Sequence, residues 1–177
     1  MQQSKTGYYA DFAIYIALLA VLIGIGMFEY KWPERLNWLA AAGAGALWWT
    51  LIEYALHRFA FHGMPIVVDM HAVHHASPRA YLGTPTWLSL AIVFVVIFLP
   101  ASRVFSPYVA SGLTAGVVMG FLWYGFLHHV IHHRRPRMLA LRMTGAARRH
   151  HLHHGNGTGN FGVTTEFWDH VFGTVLQ

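Results

Sequence analysis

Four runs without a charged residue divide this chain of 177 residues: Phe12 to Phe28, Leu36 to Ile52, Tyr81 to Ser102 and Val104 to Leu127. A bilayer core takes roughly 17–25 apolar residues per helix, so the first two runs reach the short end of that window and the last two fill it. A soluble helix needs a polar face opposite its apolar one. Trp48, Trp49 and the run from Phe94 to Phe98 leave no room for one. The pattern therefore predicts an all-α fold, an integral membrane four-helix transmembrane bundle with helices at about 9–30, 36–61, 86–101 and 107–133. Breaks fall where proline and glycine stand. Trp32-Pro33-Glu34 reads as an outer turn, Gly63-Met64-Pro65 ends the second helix, and Ser77-Pro78 breaks the segment after it. The third helix ends at Pro100, Ala101 to Ser106 allows only a hairpin, and Arg134-Arg135-Pro136 stops the fourth helix. The polar segments 62–85 and 134–177 then lie on one side, and residues 1–177 read as a single domain.

Charge orients this arrangement. Charged residues make up 11% of the chain, against about 25% in soluble domains. With Lys5 placed inside, Arg58, Arg79, Arg134, Arg135, Arg137, Arg142, Arg148 and Arg149 also fall inside, and only Lys31, Arg35 and Arg103 fall outside. That is the positive-inside bias of membrane proteins. The basic balance thus reports topology, with both termini cytoplasmic, and no nucleic-acid motif accompanies it. No small-residue cleavage site follows the first apolar run, which reads as a retained helix rather than a signal peptide.

The remaining chemistry is histidine. The chain has fourteen and no cysteine, so any metal here is held by nitrogen or oxygen. Thirteen fall in four clusters: His57 and His62; His71, His74 and His75; His128, His129, His132 and His133; His150, His151, His153 and His154. His170 stands apart. The second and fourth helices both run inward, so all four clusters converge on the cytoplasmic side as a histidine-rich helical cap. Histidines three or four apart share a helix face, which lets each triplet offer two or three imidazoles to one concave site. In the third cluster two registers compete, His128 with His132 or His129 with His133. His57 and His62, five apart, stand about 140° apart on a regular helix. They either reach different metals or the helix frays between them. A catalytic zinc takes three protein ligands and a structural one four, so ten or more histidines suit two ions. Neither the Glu-x-x-His pairs of soluble di-iron bundles nor the His-Glu-x-x-His of zinc proteases occurs. A transporter would place ligands near the midplane, and a haem needs only two histidines. Redox metal chemistry at the membrane surface fits better.

In order and spacing these clusters resemble the histidine boxes of the fatty acid hydroxylase/sterol desaturase superfamily of membrane di-metal oxygenases. HRFAFH, HAVHH, His128 to His132 and HHLHH follow its series, and FGVTTEFWDHVFGT, Phe161 to Thr174, is similar to its closing stretch in fatty acid 2-hydroxylases. The resemblance implies ligands His57, His62, His71, His74, His75, His128, His132, His150, His153 and His154, and leaves His129, His133 and His151 unassigned. It implies two non-haem iron ions, which zinc can replace in purified protein, and O₂ as co-substrate. The implied activity is oxidoreductase: a monooxygenase hydroxylating an unactivated C–H bond of a lipid drawn from the bilayer, a fatty acyl chain before a carotenoid ring or a sterol. The non-enzymatic alternative is a metal- or haem-binding membrane protein. With no fused cytochrome b5 domain in this sequence, a separate electron donor is expected, cytochrome b5-like or a ferredoxin with its reductase. Asp69, Glu53 and Asp169 are expected to orient the histidine rings.

Overall fold

The structure is a computed structural model that describes residues 3–28, 31–65, 67–81, 83–133 and 141–176, without the side chains of 141–144. The described residues are helical with no strand. They run α1 (Lys5–Phe28), α2 (Trp32–Ala55) continued by a π-helical turn (Leu56–Phe61), α3 (Val67–Ala76) and α4 (Thr86–Ile92). A second π-helical turn (Val93–Phe98) leads into α5 (Leu99–Val104), followed by α6 (Pro107–His133), α7 (Leu141–Asn156) and α8 (Phe167–Val171). Four helical stretches are long and apolar enough to cross a membrane: Lys5–Phe28, Trp32–Phe61, Thr86–Val104 and Pro107–His133.

Two boundaries differ from the sequence reading for local reasons. Trp32-Pro33-Glu34 is not a turn but the first turn of α2, where proline is tolerated because its missing N–H would have no partner. There the Lys31 N–H donates to Glu34 Oε2 at 3.2 Å, as in a capping box. The third span does not end at Pro100. The Leu99 N–H reaches five residues back to the Phe94 carbonyl, and Pro100 falls in the first turn of α5. The expected stop at Arg134-Arg135-Pro136, the expected end of the first helix at Tyr30 and the placement of Arg137 lie outside the described residues.

By contacts the chain forms two compact units. The first holds residues 1–49 and 81–122. Its helices approach through small residues. A Cβ added to Gly116 would stand 1.9 Å from the Ala42 carbonyl oxygen, and one on Gly45 would stand 2.1 Å from that of Leu113. Trp38 is buried against Leu22, Tyr108 and Ala115, and its indole N–H donates to Ser111 Oγ at 3.0 Å. The Tyr108 hydroxyl donates to the Gly26 carbonyl at 2.9 Å. Because backbone cannot yield as a side-chain tip can, Gly116→Ala is expected to destabilise this unit by about 2–3 kcal/mol, read as a lower Tm in detergent. An unchanged Tm would mean that α2 and α6 slide apart without loss.

The second unit holds residues 50–80 and 123–177. Leu127, Ile131, Ala147 and Val163 form its apolar core, with Tyr124 packed against it. Its stretch between α7 and α8 carries no regular structure. Asn160 there adopts φ 55°, a left-handed conformation asparagine tolerates better than most residues. Its backbone N–H donates to the Thr174 carbonyl at 2.8 Å, and its side-chain oxygen accepts the Leu176 N–H at 2.9 Å.

Candidate metal centre

Every histidine cluster lies in the second unit. Ten rings meet there in two groups of five, each offering nitrogens within 4.8 Å of one another. The first group is His57, His62, His71, His75 and His153; the second is His74, His128, His132, His150 and His154. The helices divide them in a crossed pattern. In α3, His71 and His75 share a face and join the first group, while His74, one residue off that face, joins the second. In α7, His150 and His154 share a face and join the second group, while His153 crosses to the first. The two groups adjoin, with His75 and His154 stacked at 4.3 Å between centroids.

His57 and His62 are in one group, which corrects the expectation of separate sites. The helix between them does not fray. It widens into the π turn Leu56–Phe61, whose hydrogen bonds reach five residues back and so bring residues five apart toward a common face. Their rings stand 5.3 Å apart. On α6, His128 and His132 point into the second group, and the His128 ring stacks on Tyr124 at 5.6 Å. His129 and His133 stack on each other at 4.6 Å, outside both groups. His151 and His170 are exposed.

Nitrogen spacing tests whether a metal fits. Two ligand nitrogens about 2.1 Å from one ion and at a right angle to each other stand about 3.0 Å apart. Nε2 of His71 is 3.1 Å from that of His57 and 3.0 Å from that of His75. His62 and His153 approach at 3.0 Å. In the second group His128–His74 and His132–His150 are at 2.9 Å, and His154–His150 at 3.0 Å. His57 Nδ1 lies 2.6 Å from the Phe161 carbonyl, and His153 Nδ1 lies 2.7 Å from that of Gly159. A carbonyl only accepts, so each of these rings carries its proton on Nδ1 and presents a bare Nε2 inward. The residues fit two cations with nitrogen ligands.

Electrostatics keeps the rings neutral, the form that offers a lone pair. Burial, reinforced by neighbouring histidines, lowers His71 and His154 to about 2 and His74 to about 4. Burial likewise lowers His153 to about 4, although its bond to the Gly159 carbonyl opposes the shift. His150 is pushed well below its ordinary value, and His62 and His75 are lowered, burial leading in each.

The acidic residues act one layer further out than expected. Glu53 and Asp169, both buried, hydrogen-bond among the described residues to backbone N–H and hydroxyl groups rather than to a histidine ring. Asp169 accepts the Phe161 and Gly162 N–H groups at 2.8 Å each and the Thr174 hydroxyl at 2.8 Å. Glu53 Oε1 accepts the Val163 and Thr164 N–H groups at 2.6 and 3.0 Å, and Oε2 accepts the Thr164 hydroxyl. Together they pin the segment whose Phe161 carbonyl orients His57. Asp69 is exposed on α3. Backbone acceptors leave no residue signature, so the sequence does not show these two carbonyls; only that of Phe161 falls within the FGVTTEFWD stretch. Since His129, His133 and His151 lie outside both groups, replacing any of them with alanine is expected to leave metal per chain unchanged. Elemental analysis of the purified variants checks this, and loss of an ion from any of the three would redraw the groups.

Comparison with known proteins follows the same lines. The fatty acid hydroxylase family model matches residues 42–174. A dihydroceramide fatty acyl 2-hydroxylase of Arabidopsis thaliana is 30% identical over 97% of this chain and 75% of its own length. A fatty acid 2-hydroxylase of Mus musculus is 30% identical over 75% of this chain, which spans only 38% of that protein. A solved structure of full-length scs7p, with only the hydroxylase domain visible, superposes with a TM-score of 0.81 at 28% identity, covering 97% of this chain and 67% of that one.

Proposed function

The chain belongs to the fatty acid hydroxylase family, and from that premise we propose that it is a membrane-bound di-iron oxygenase that hydroxylates a C–H bond of a fatty acyl chain. The observation that carries this reading is the double five-histidine group with its inward-facing Nε2 atoms. His57, His62, His71, His75 and His153 would hold one ion, and His74, His128, His132, His150 and His154 the other. Bound iron with O₂ and external electrons supplies the oxidising power for an unactivated C–H bond. The protein's own residues hold that chemistry in place. The Phe161 and Gly159 carbonyls fix the tautomers of His57 and His153, and burial keeps the ligand set neutral. Substrate comes from the bilayer, and electrons from a cytochrome b5-like protein or a ferredoxin with its reductase. The positive-inside distribution of arginine supports a cytoplasmic position for the centre and both termini.

Nitrogen-rich sites take zinc in preference to ferrous iron, so the metal found after purification does not identify the working one. The decisive experiment is lipid profiling of cells that express the chain with a reductase system, beside a His74→Ala, His75→Ala variant. Hydroxylated acyl chains are expected with the wild type alone. Equal profiles, in cells shown to contain the metal-loaded protein, would overturn the activity.

A further inference from the structure

Away from the histidines, the first unit contains an open pocket of about 350 Å³, lined among others by Gln3, Ser4, Asp11 and Thr86. Asp11 is the one acidic residue of α1, within a helix long and apolar enough to span a bilayer. An ionisable group so placed is costly and needs a partner. Its partners are neutral: Asp11 Oδ2 accepts the Gln3 side-chain amide at 2.8 Å, and Oδ1 accepts the Thr86 hydroxyl. Among the described residues no lysine or arginine forms an ion pair with it; the ion pair found is Arg149 with Glu166.

Donor and acceptor counts leave the pocket short of donors. Each carboxylate oxygen can accept twice, and each here accepts once. Gln3 Oε1 is buried and accepts nothing. Its orientation is set, because the amide nitrogen is the atom that faces the carboxylate. The site therefore combines a carboxylate, unused lone pairs and an orphan carbonyl. Beside it Tyr8, Tyr9 and Tyr81 cluster, with ring centroids 5.1 Å apart for Tyr8 and Tyr81 and 6.2 Å for Tyr9 and Tyr81. Tyrosine gathers at the headgroup level of membranes. The Gln3 N–H donates to the Tyr81 carbonyl at 2.8 Å, which ties the pocket to that level.

We propose that this pocket binds the primary ammonium of an aminolipid headgroup. The N–H donors of such a cation would fill the unused lone pairs of Asp11, and a quaternary ammonium could not do so by hydrogen bonding. The inference does not depend on the metal centre or on the reaction assigned to it.

The test uses the full chain in nanodiscs holding equal amounts of phosphatidylethanolamine and phosphatidylcholine, with retained lipid read by native mass spectrometry. The phosphate is common to both lipids and cancels. Charge-assisted hydrogen bonds predict about tenfold enrichment of phosphatidylethanolamine. Retention should decline across its mono-, di- and trimethylated forms, a series that needs no variant. Asp11→Asn should abolish the preference while metal per chain, set in the other unit, stays at the wild-type value. Equal retention across the methylated series would overturn the proposal, as would an unchanged preference in Asp11→Asn. Protection from thermal unfolding by free ethanolamine without retention of the lipid would also overturn it.

Discussion

Replacing His153 with alanine is expected to lower bound metal from two ions per chain to one and to cut acyl hydroxylation by at least about a hundredfold. The figure starts from the 10- to 100-fold cost of losing only a residue that supports a metal ligand. His153 is fully buried, its Nδ1 faces the Gly159 carbonyl and its Nε2 lies 3.0 Å from that of His62. Chain position suggests a different outcome, because His153 sits in one box with His150 and His154. The crossed geometry places it instead with His57, His62, His71 and His75. Double variants separate the two views. His62→Ala with His153→Ala should lose the same single ion as either change alone, a strongly non-additive pair. His153→Ala with His154→Ala should lose both ions. If the first pair lost two ions and the second one, the proposed grouping would be wrong. Exposed His151, two residues away, serves as the control.

What the sequence made legible was whatever repeats with a helical period or resists water. Charge-free runs located the four spans, and one-sided arginines are the basis of the orientation proposed for them. Spacing within HAVHH and HHLHH showed that each helix offers imidazoles to a common centre but not how they divide, since His74 and His153 join the group opposite to their neighbours. The choice between the two α6 registers came only from family resemblance, and the structure places His128 and His132 within the second group. What could not be read was local departure from the ideal helix. His57 and His62 share a group because of a π turn, and no residue between them announces one. Pro100 looked like a stop and lies inside a helix for a similar reason. The carboxylates were visible as residues but not in their role, since Glu53 binds backbone more than a hundred positions away.

That indirect role supports the other large expected effect. Asp169→Ala should leave the buried N–H groups of Phe161 and Gly162 without acceptors, at a cost of about 4 kcal/mol if each loses about 2. It should also weaken metal binding by about 10- to 100-fold, because the Phe161 carbonyl that orients His57 is no longer held. Glu53→Ala should act similarly through Val163 and Thr164. The amide variants distinguish geometry from charge. Glu53 receives both backbone N–H groups on Oε1 and the Thr164 hydroxyl on Oε2, so in Glu53→Gln the amide oxygen can keep the first two and the amide nitrogen can donate to the hydroxyl. Asp169 receives a backbone N–H on each of its oxygens, so in Asp169→Asn the amide nitrogen must face a donor whichever way it turns. Glu53→Gln should therefore keep near-wild-type Tm and metal affinity, and Asp169→Asn should approach the alanine variant in both. Thermal unfolding and competitive metal titration read the two effects separately. Asp169→Asn as stable and as tightly metallated as the wild type would show that the segment holds Phe161 without its carboxylate, and would detach His57 from that support.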